Sequence, residues 1–418
     1  MLDRLKAWHP FQTPDTQRLA VLFAVVYFAQ GMWSLPVLPL TFVLKGWGLS
    51  AGQVATFFSI SVIPWLVKPA YGLISDFLPL AGYRRKSYLL LTSGLAASAG
   101  LALGLFVEHS YWGLAIFFTA MGLGLAFTDV LVDALMVENG KPRGLTGAFQ
   151  SVQWASINLA SILVGLLGGY LARQRNLHAS FLIAAGFPLI SFVMTLFFIR
   201  EQRTRMDLTG FRHTLRAVRA ALAQRDVWIV AGFILFWTFS PSFGPALVYY
   251  QTDVLKFSEQ FIGLLSSLSA TAGIVGAFFY APLSRRVPLV RIINISIGVG
   301  VAGTLAYLVY RDVWSALIID TLFGGVGMIV QLAFLDLAAK SCPRHVEATF
   351  FALLMSVYNL GVQGSQVAGG YLYDGLGFVA LVLISSAMTA MAWLLVPLVK
   401  IHRIEARARA ATEADTTT

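Results

Sequence analysis

Five ionisable residues stand inside long apolar runs, where charge is expensive: Lys68, Asp129, Asp133, Asp320 and Asp336. A charge near the middle of a hydrocarbon layer costs about 2.5–3.5 kcal/mol, so each of these side chains calls for a partner, a ligand or a proton. Lys68 follows Ser61 and Trp65 and precedes Gly72 at a 4-3-4 spacing, which puts all four on one helical face. An ammonium held there can receive an anion; the competing reading is that its long stem snorkels to the membrane interface. Asp129 and Asp133 lie one turn apart, and Glu138 closes the same run. Two carboxylates so close in a low dielectric are what a proton carrier needs. The bland alternative is an ion pair that only locks the fold, and it weighs most for Asp133, the nearer of the two to the end of the run. Asp129, deeper and beside Thr128, reads as a contact for substrate or proton, and Asp320 is a third acid available for proton coupling. None of the six histidines falls inside a run, so proton coupling would rest on carboxylates.

Amides form a second set. Gln150, Trp154, Asn158 and Ser161 recur at helical spacing, as do Asn359, Gln363, Gln366 and Gly370 much later in the chain. Such stripes can simply bond neighbouring helices. Their matching places in the two halves point instead to a water-filled cavity for a polar small molecule, to which Gln30, Trp237, Tyr249 and Gln251 could add. Several function classes are excluded. The chain has no glycine-rich phosphate loop ending in Lys-Ser/Thr and no His-Glu-x-x-His zinc pair, which argues against an ATP-driven pump, a metalloenzyme and any resident cofactor or metal. Its one cysteine, Cys342, cannot form an intrachain disulfide.

The elements that must carry these residues follow from composition. Of 418 residues 57% are hydrophobic and only 12% charged, too little polar surface for a water-soluble protein. Apolar runs long enough to cross a core of about 30 Å recur along nearly the whole length. They place twelve helices near 18–45, 51–75, 87–107, 111–138, 144–172, 179–200, 227–255, 259–283, 289–310, 313–340, 345–374 and 376–400. Pro36, Pro39, Pro64, Pro69, Pro241 and Pro245 should kink them. The net charge of +10 sits in the short connections rather than in a nucleic-acid-binding patch. With the N-terminus inside, 24 of the 30 Lys and Arg fall on the cytoplasmic side, which puts both termini in the cytoplasm of a cell (inner or plasma) membrane protein. The first residues lack a cleavable apolar leader.

The second half repeats the first at an offset of roughly 200–210 residues. Val43-Leu44-Lys45 returns as Val254-Leu255-Lys256, and Gly168-Gly169-Tyr170-Leu171 as Gly369-Gly370-Tyr371-Leu372. Asp133 aligns with Asp336 and Asn158 with Asn359 after a two-residue deletion. Six crossings return the chain to its starting side, so the repeats are parallel, as in the two halves of major facilitator transporters. The expected architecture is an all-α membrane protein of two parallel, pseudo-symmetric six-helix bundles, residues 1–200 and 227–400. A basic cytoplasmic connector, 201–226, joins them, and a tail, 401–418, follows. Arg212, Arg216 and Arg219 fall at helical spacing in the connector, which either lies on the lipid surface or is a solvated linker.

Gly72-Leu-Ile-Ser-Asp76 followed by Gly82-Tyr83-Arg84-Arg85-Lys86 resembles the loop signature of the major facilitator superfamily. More closely, the runs Lys68 to Asp76, Gly82 to Tyr88, Asp129-Val-Leu-Val-Asp133-Ala134, Phe28-Ala-Gln30-Gly31 and Gln150 to Trp154 resemble the folate-biopterin transporter family. The match lies mostly in the first half; in the second, Ser284-Arg285-Arg286 replaces the Ser75-Asp76 region. The resemblance implies a folate or pterin as substrate, moved with protons by alternating access in a monomer. Lys68 would then meet glutamate carboxylates, Asp129 would accept from the pterin edge, and Trp65 or Trp154 would stack on the ring. The basic cluster Arg84-Arg85 would close a cytoplasmic gate with Asp76, Asp133 and Glu138. Photosynthetic pigment-delivery proteins are similar to the same family, so a membrane assembly or pigment-delivery factor without transport turnover is the alternative.

Overall fold

A backbone inside hydrocarbon must satisfy its own polar groups, and helices do so within a single segment. The structure, a computed structural model, describes residues 10–106, 110–342 and 347–406. Within them, the regular structure is helical apart from an isolated bridge between Leu80 and Tyr83, and residues 199–207 form an irregular segment.

Prolines decide where the first two passages break. Helix α1 (Pro14–Met32) opens with Thr13 and Thr16 capping one another's backbone and Pro14 at the first turn. A turn through Pro36 separates it from α2 (Val37–Gly46). The second passage is α3 (Ala51–Leu66) and α4 (Lys68–Phe77), interrupted at Val67 because Pro69 has no N–H to continue the ladder. Lys68 is therefore the first residue of a helix that begins inside the membrane layer. Then come α5 (Lys86–Leu105), α6 (Tyr111–Gly140), α7 (Thr146–Arg173) and α8 (Leu177–Phe198). The connector folds as α9 (Leu208–Leu222), which meets α10 (Arg225–Thr238) at a bend of 76°.

The seventh passage breaks around Pro241, resumes as α11 (Gly244–Tyr249) and ends in a π-turn, Tyr250–Val254. Helices α12 (Glu259–Arg286), α13 (Leu289–Ala306), α14 (Val313–Lys340) and α15 (Glu347–Val399) complete the fold. Ten of the described helices or helix pairs are long and apolar enough to cross a membrane. The last contains two crossings divided at Gly377, whose φ of 81° interrupts the helix. Counting the bent pair Thr209–Ala220 and Arg225–Thr238 as one passage adds an eleventh to the ten, against the twelve expected from the sequence.

Contacts divide the chain into two units. The first comprises residues 1–44 and 60–211. Here α1 packs on α7 and α8, and α5 on α6 and α8. Gly124 lets α6 approach α5 so closely that a Cβ would stand 2.4 Å from the Thr92 carbonyl. Leu22, Phe23, Tyr27, Leu131 and Phe149 form one end of the core, and Met32, Trp65, Met121 and Leu125 another.

The second unit comprises residues 45–59 and 212–418. Helix α12 packs on α14 through Gly276, where a Cβ would meet the Gly325 carbonyl at 2.0 Å, and α15 gathers α10, α11 and α13 around it. Its core holds Ile234, Ile293, Ile297, Phe334 and Leu337. Lys45 ion-pairs with Asp253 in the π-turn, and the Asp374 carboxylate accepts the backbone N–H groups of Ala51 and Gly52 at 3.1 and 2.9 Å. Large apolar side chains such as Phe278, Trp314 and Leu394 lie outward and exposed, as expected where lipid is the solvent.

Candidate functional site

The break before α4 sets the chemistry of the first unit. It turns Lys68 toward α6, and its Nζ lies 2.5 Å from Asp129 Oδ2. The same ammonium sits over the ring of Trp65, 4.6 Å from its centroid. Asp129 is only 5% exposed, and beside it Thr128 bonds Thr92 at 2.7 Å. A pair this deep gains little net stability, but removing one partner strands the other charge, which costs about 3–5 kcal/mol. Lys68 is held by a carboxylate and an aromatic face.

Around this pair, four buried polar atoms have no hydrogen-bond partner among the described residues: Gln30 Oε1, Trp33 Nε1, Ser61 Oγ and Trp65 Nε1. Each unpaired buried group costs about 1–3 kcal/mol, so four in one neighbourhood mark a place where something other than protein completes the bonding. Trp33 was not singled out by the sequence reading. The available signal was its position three residues after Gln30, on the same face of the first passage.

Asp133 has different company. It accepts from the Tyr27 hydroxyl and, at 3.3 Å, from the Gln153 amide. Neutral donors hold it, and it stands apart from the basic loop. That loop is organised by Arg85, whose side chain is 5% exposed. Its guanidinium reaches Asp76 at 2.5 Å, Glu138 at 2.8 Å and the Ser75 hydroxyl at 2.8 Å. Burial works against the charge of Arg85, but Asp76 and Glu138 outweigh it and hold the guanidinium pKa above its ordinary value. Arg84 contributes through its backbone instead. The Glu201 carboxylate accepts the N–H groups of Arg84, Arg85 and Lys86 at 2.8–3.1 Å, capping the start of α5. Sequence reasoning did not find Glu201, because its partners are backbone groups more than 110 residues away.

The amides of α7 are less engaged. Gln150 and Trp154 are exposed, and Asn158 donates to the Trp154 carbonyl of its own helix at 2.7 Å. None of the three is bonded to Lys68 or Asp129. In the second unit Asn359, Gln363 and Gln366 are half-buried along α15, with Gln366 packed on the backbone at Gly244. Asp320 is 8% exposed in an aromatic cluster, accepting from the hydroxyls of Tyr307 at 2.8 Å and Tyr310 at 2.7 Å. Tyr310 in turn receives the Gln251 amide at 2.6 Å. Asp336 pairs with Lys340 at 2.7 Å and receives the Tyr280 hydroxyl at 3.3 Å. No group of three or more metal-ligating side chains occurs among the described residues.

The helical passages and their order define a major facilitator fold, and solved structures agree. The chain matches nucleoside transporter NupG with a TM-score of 0.67 at 13% identity, over 93% of this chain and 98% of that one. It matches the xylose transporter XylE from E. coli, in an inward-open conformation, with a TM-score of 0.66 at 13% identity, over 94% and 99%. Within that fold the chain belongs to the BT1 family, whose model matches residues 30–404. Among its relatives, a folate-biopterin transporter of Synechocystis sp. is 33% identical over 381 residues, spanning 87% of this chain and 76% of the relative. Folate transporter 1 of Plasmodium falciparum is 24% identical over 80% of this chain and 69% of its own length. This is a family of multi-pass membrane transporters, not enzymes.

Proposed function

We propose that the protein is a secondary active transporter that carries a folate- or pterin-like organic anion across a cell membrane by alternating access, coupled to protons. The buried Lys68–Asp129 pair carries this reading. One ammonium there has two possible counter-anions, its own aspartate and an incoming carboxylate. An anionic substrate that takes Lys68 leaves Asp129 without its cation in a low dielectric, and a proton is the cheapest way to relieve that. Binding of anion and proton are thereby linked through a single contact.

Asp133, one turn away and held by neutral donors, is placed to exchange that proton, and Asp320 offers an acid in the second unit. Trp65, already against Lys68, supplies an aromatic wall beside the substrate. Within the first unit, Gln30, Gln150, Trp154 and Asn158 supply further polar contacts. The Arg85 cluster with Asp76 and Glu138 serves as the cytoplasmic gate, with both termini on that side. The names of the Synechocystis and Plasmodium relatives support the substrate class. A site built on an ion pair and unpaired polar atoms suits a polar anion better than an apolar pigment.

Labelled folate uptake into proteoliposomes under an inward proton gradient tests the proposal. Lys68→Ala should abolish uptake, and Asp129→Asn should uncouple it from the gradient. Wild-type uptake that is gradient-independent, or unchanged by both substitutions, would overturn it.

A further inference from the structure

Two of the unpaired buried atoms of the first unit, Arg84 Nε and Thr204 Oγ1, belong to the basic loop and the segment after α8; the other four, on the first two passages, have a chemical composition that the ion pair does not use. Two are indole N–H groups, which only donate; one is an amide oxygen, which only accepts; the fourth is a hydroxyl, which does either. They come from two passages. Gln30 and Trp33 lie three residues apart at the end of α1, and Ser61 and Trp65 four apart near the end of α3. The two ends converge. The rings of Trp33 and Trp65 are 5.6 Å apart, and the Trp33 ring and the Ser61 carbonyl both press on Gly122, where a Cβ would stand 3.2 and 3.0 Å from them. Ser61 is 1% and Trp65 8% exposed, so bulk water does not complete their bonding.

We infer that Gln30, Trp33, Ser61 and Trp65 form a subsite that reads the hydrogen-bonding edge of a fused-ring nitrogen heterocycle, distinct from the ammonium that holds the anionic tail. The complement of two donors, one acceptor and one hydroxyl is a planar edge carrying a ring carbonyl and a ring nitrogen as acceptors beside an N–H or amino donor. A pteridine lactam presents that edge. A carboxylate does not, because it offers no donor for Gln30. Lys68, 4.6 Å from the Trp65 ring centroid, joins the two parts of the site and fixes which end of the substrate lies where. This inference rests on the folate or pterin reading above and adds to it the residues that recognise the ring.

Removing the indole N–H while keeping an aromatic ring isolates the hydrogen bond. Proteoliposomes carrying wild type, Trp33→Phe, Trp65→Phe or Ser61→Ala would be loaded with labelled folate. Two competitors follow: a pterin lacking the glutamate tail, and p-aminobenzoylglutamate, the tail lacking the pterin. Each substitution should weaken competition by the pterin about tenfold, the loss expected for one neutral hydrogen bond, and leave competition by the tail fragment within about twofold. Lys68→Arg should show the opposite selectivity.

Equal loss for both competitors, or no loss for the pterin in any of the three variants, would overturn the subsite while leaving the transport reading in place. Absence of wild-type folate uptake would instead remove the transport reading and this inference with it. A variant that misfolds is recognised by its thermal unfolding in detergent, and the remaining two decide the question.

Discussion

Asp129 and Asp320 are both nearly buried in apolar surroundings, one in each unit, yet they are satisfied in opposite ways. Asp129 is balanced by the ammonium of Lys68. Asp320 has no cation among its described partners and is held by two tyrosine hydroxyls, one of them fixed by Gln251. The first arrangement is poised, because any anion that competes for Lys68 changes the charge state the aspartate must adopt. The second is self-contained, because neutral hydroxyls can reorient around either a carboxyl or a carboxylate at little cost. The aligned pair Asp133 and Asp336 repeats the contrast with the units reversed. Among the described residues Asp133 takes neutral donors, whereas Asp336 has Lys340. Burial alone does not give an acid its role; the charge of its partner does.

The comparison can be broken most sharply at Lys68. Lys68→Met should destabilise the protein by about 3–5 kcal/mol by stranding Asp129, and adding Asp129→Asn should recover most of that loss without recovering transport. A double-mutant cycle on thermal unfolding reads this. Equal stability of the single and double variants would mean the two charges are not coupled. Arg85→Ala should follow, at about 1–3 kcal/mol. Its guanidinium is buried, but Asp76 and Glu138 are partly exposed and screened, so the loss is that of hydrogen bonds to charged groups rather than of a sealed pair. Arg85→Lys should recover less than half, because an ammonium cannot reproduce the fork that spans Ser75, Asp76 and Glu138.

Smaller effects are expected in the second unit. Asp320→Asn should cost about 1–2 kcal/mol, the price of one imperfect hydrogen bond to a phenol, and should not be rescued by any charge substitution. If it proved as costly as Lys68→Met, the self-contained reading of that cluster would be wrong. Lys340→Ala should be smallest, below about 1 kcal/mol, since both Lys340 and Asp336 are partly exposed at consecutive turns of one helix.

Much of the fold was legible in the sequence because hydrophobic length is read directly by a bilayer. Crossings, proline breaks and the loop cluster lie close to where apolar runs, Pro36, Pro69 and the Arg84-Arg85 pair placed them. Pro188, Pro282 and Pro397 lie within continuous helices, as the spans drawn across them require, since neighbouring helices can re-satisfy the freed carbonyls. The expensive charges were legible as well, since cost depends on composition around a residue. Their partners were not. Lys68 and Asp129 are 61 residues apart, Tyr27 and Asp133 106 apart, and nothing in local spacing joins them.

The sequence by itself determined that the chain crosses a membrane about twelve times and which side chains are too costly to be incidental, because both follow from transfer free energies summed along the chain. Only the tertiary structure decided that Lys68 answers Asp129, that Asp133 answers a tyrosine, and that Gln30 Oε1, Trp33 Nε1, Ser61 Oγ and Trp65 Nε1 find no hydrogen-bond partner among the described residues. Those outcomes depend on which helix faces meet, and packing through close contacts such as that at Gly122 sets them one atom at a time.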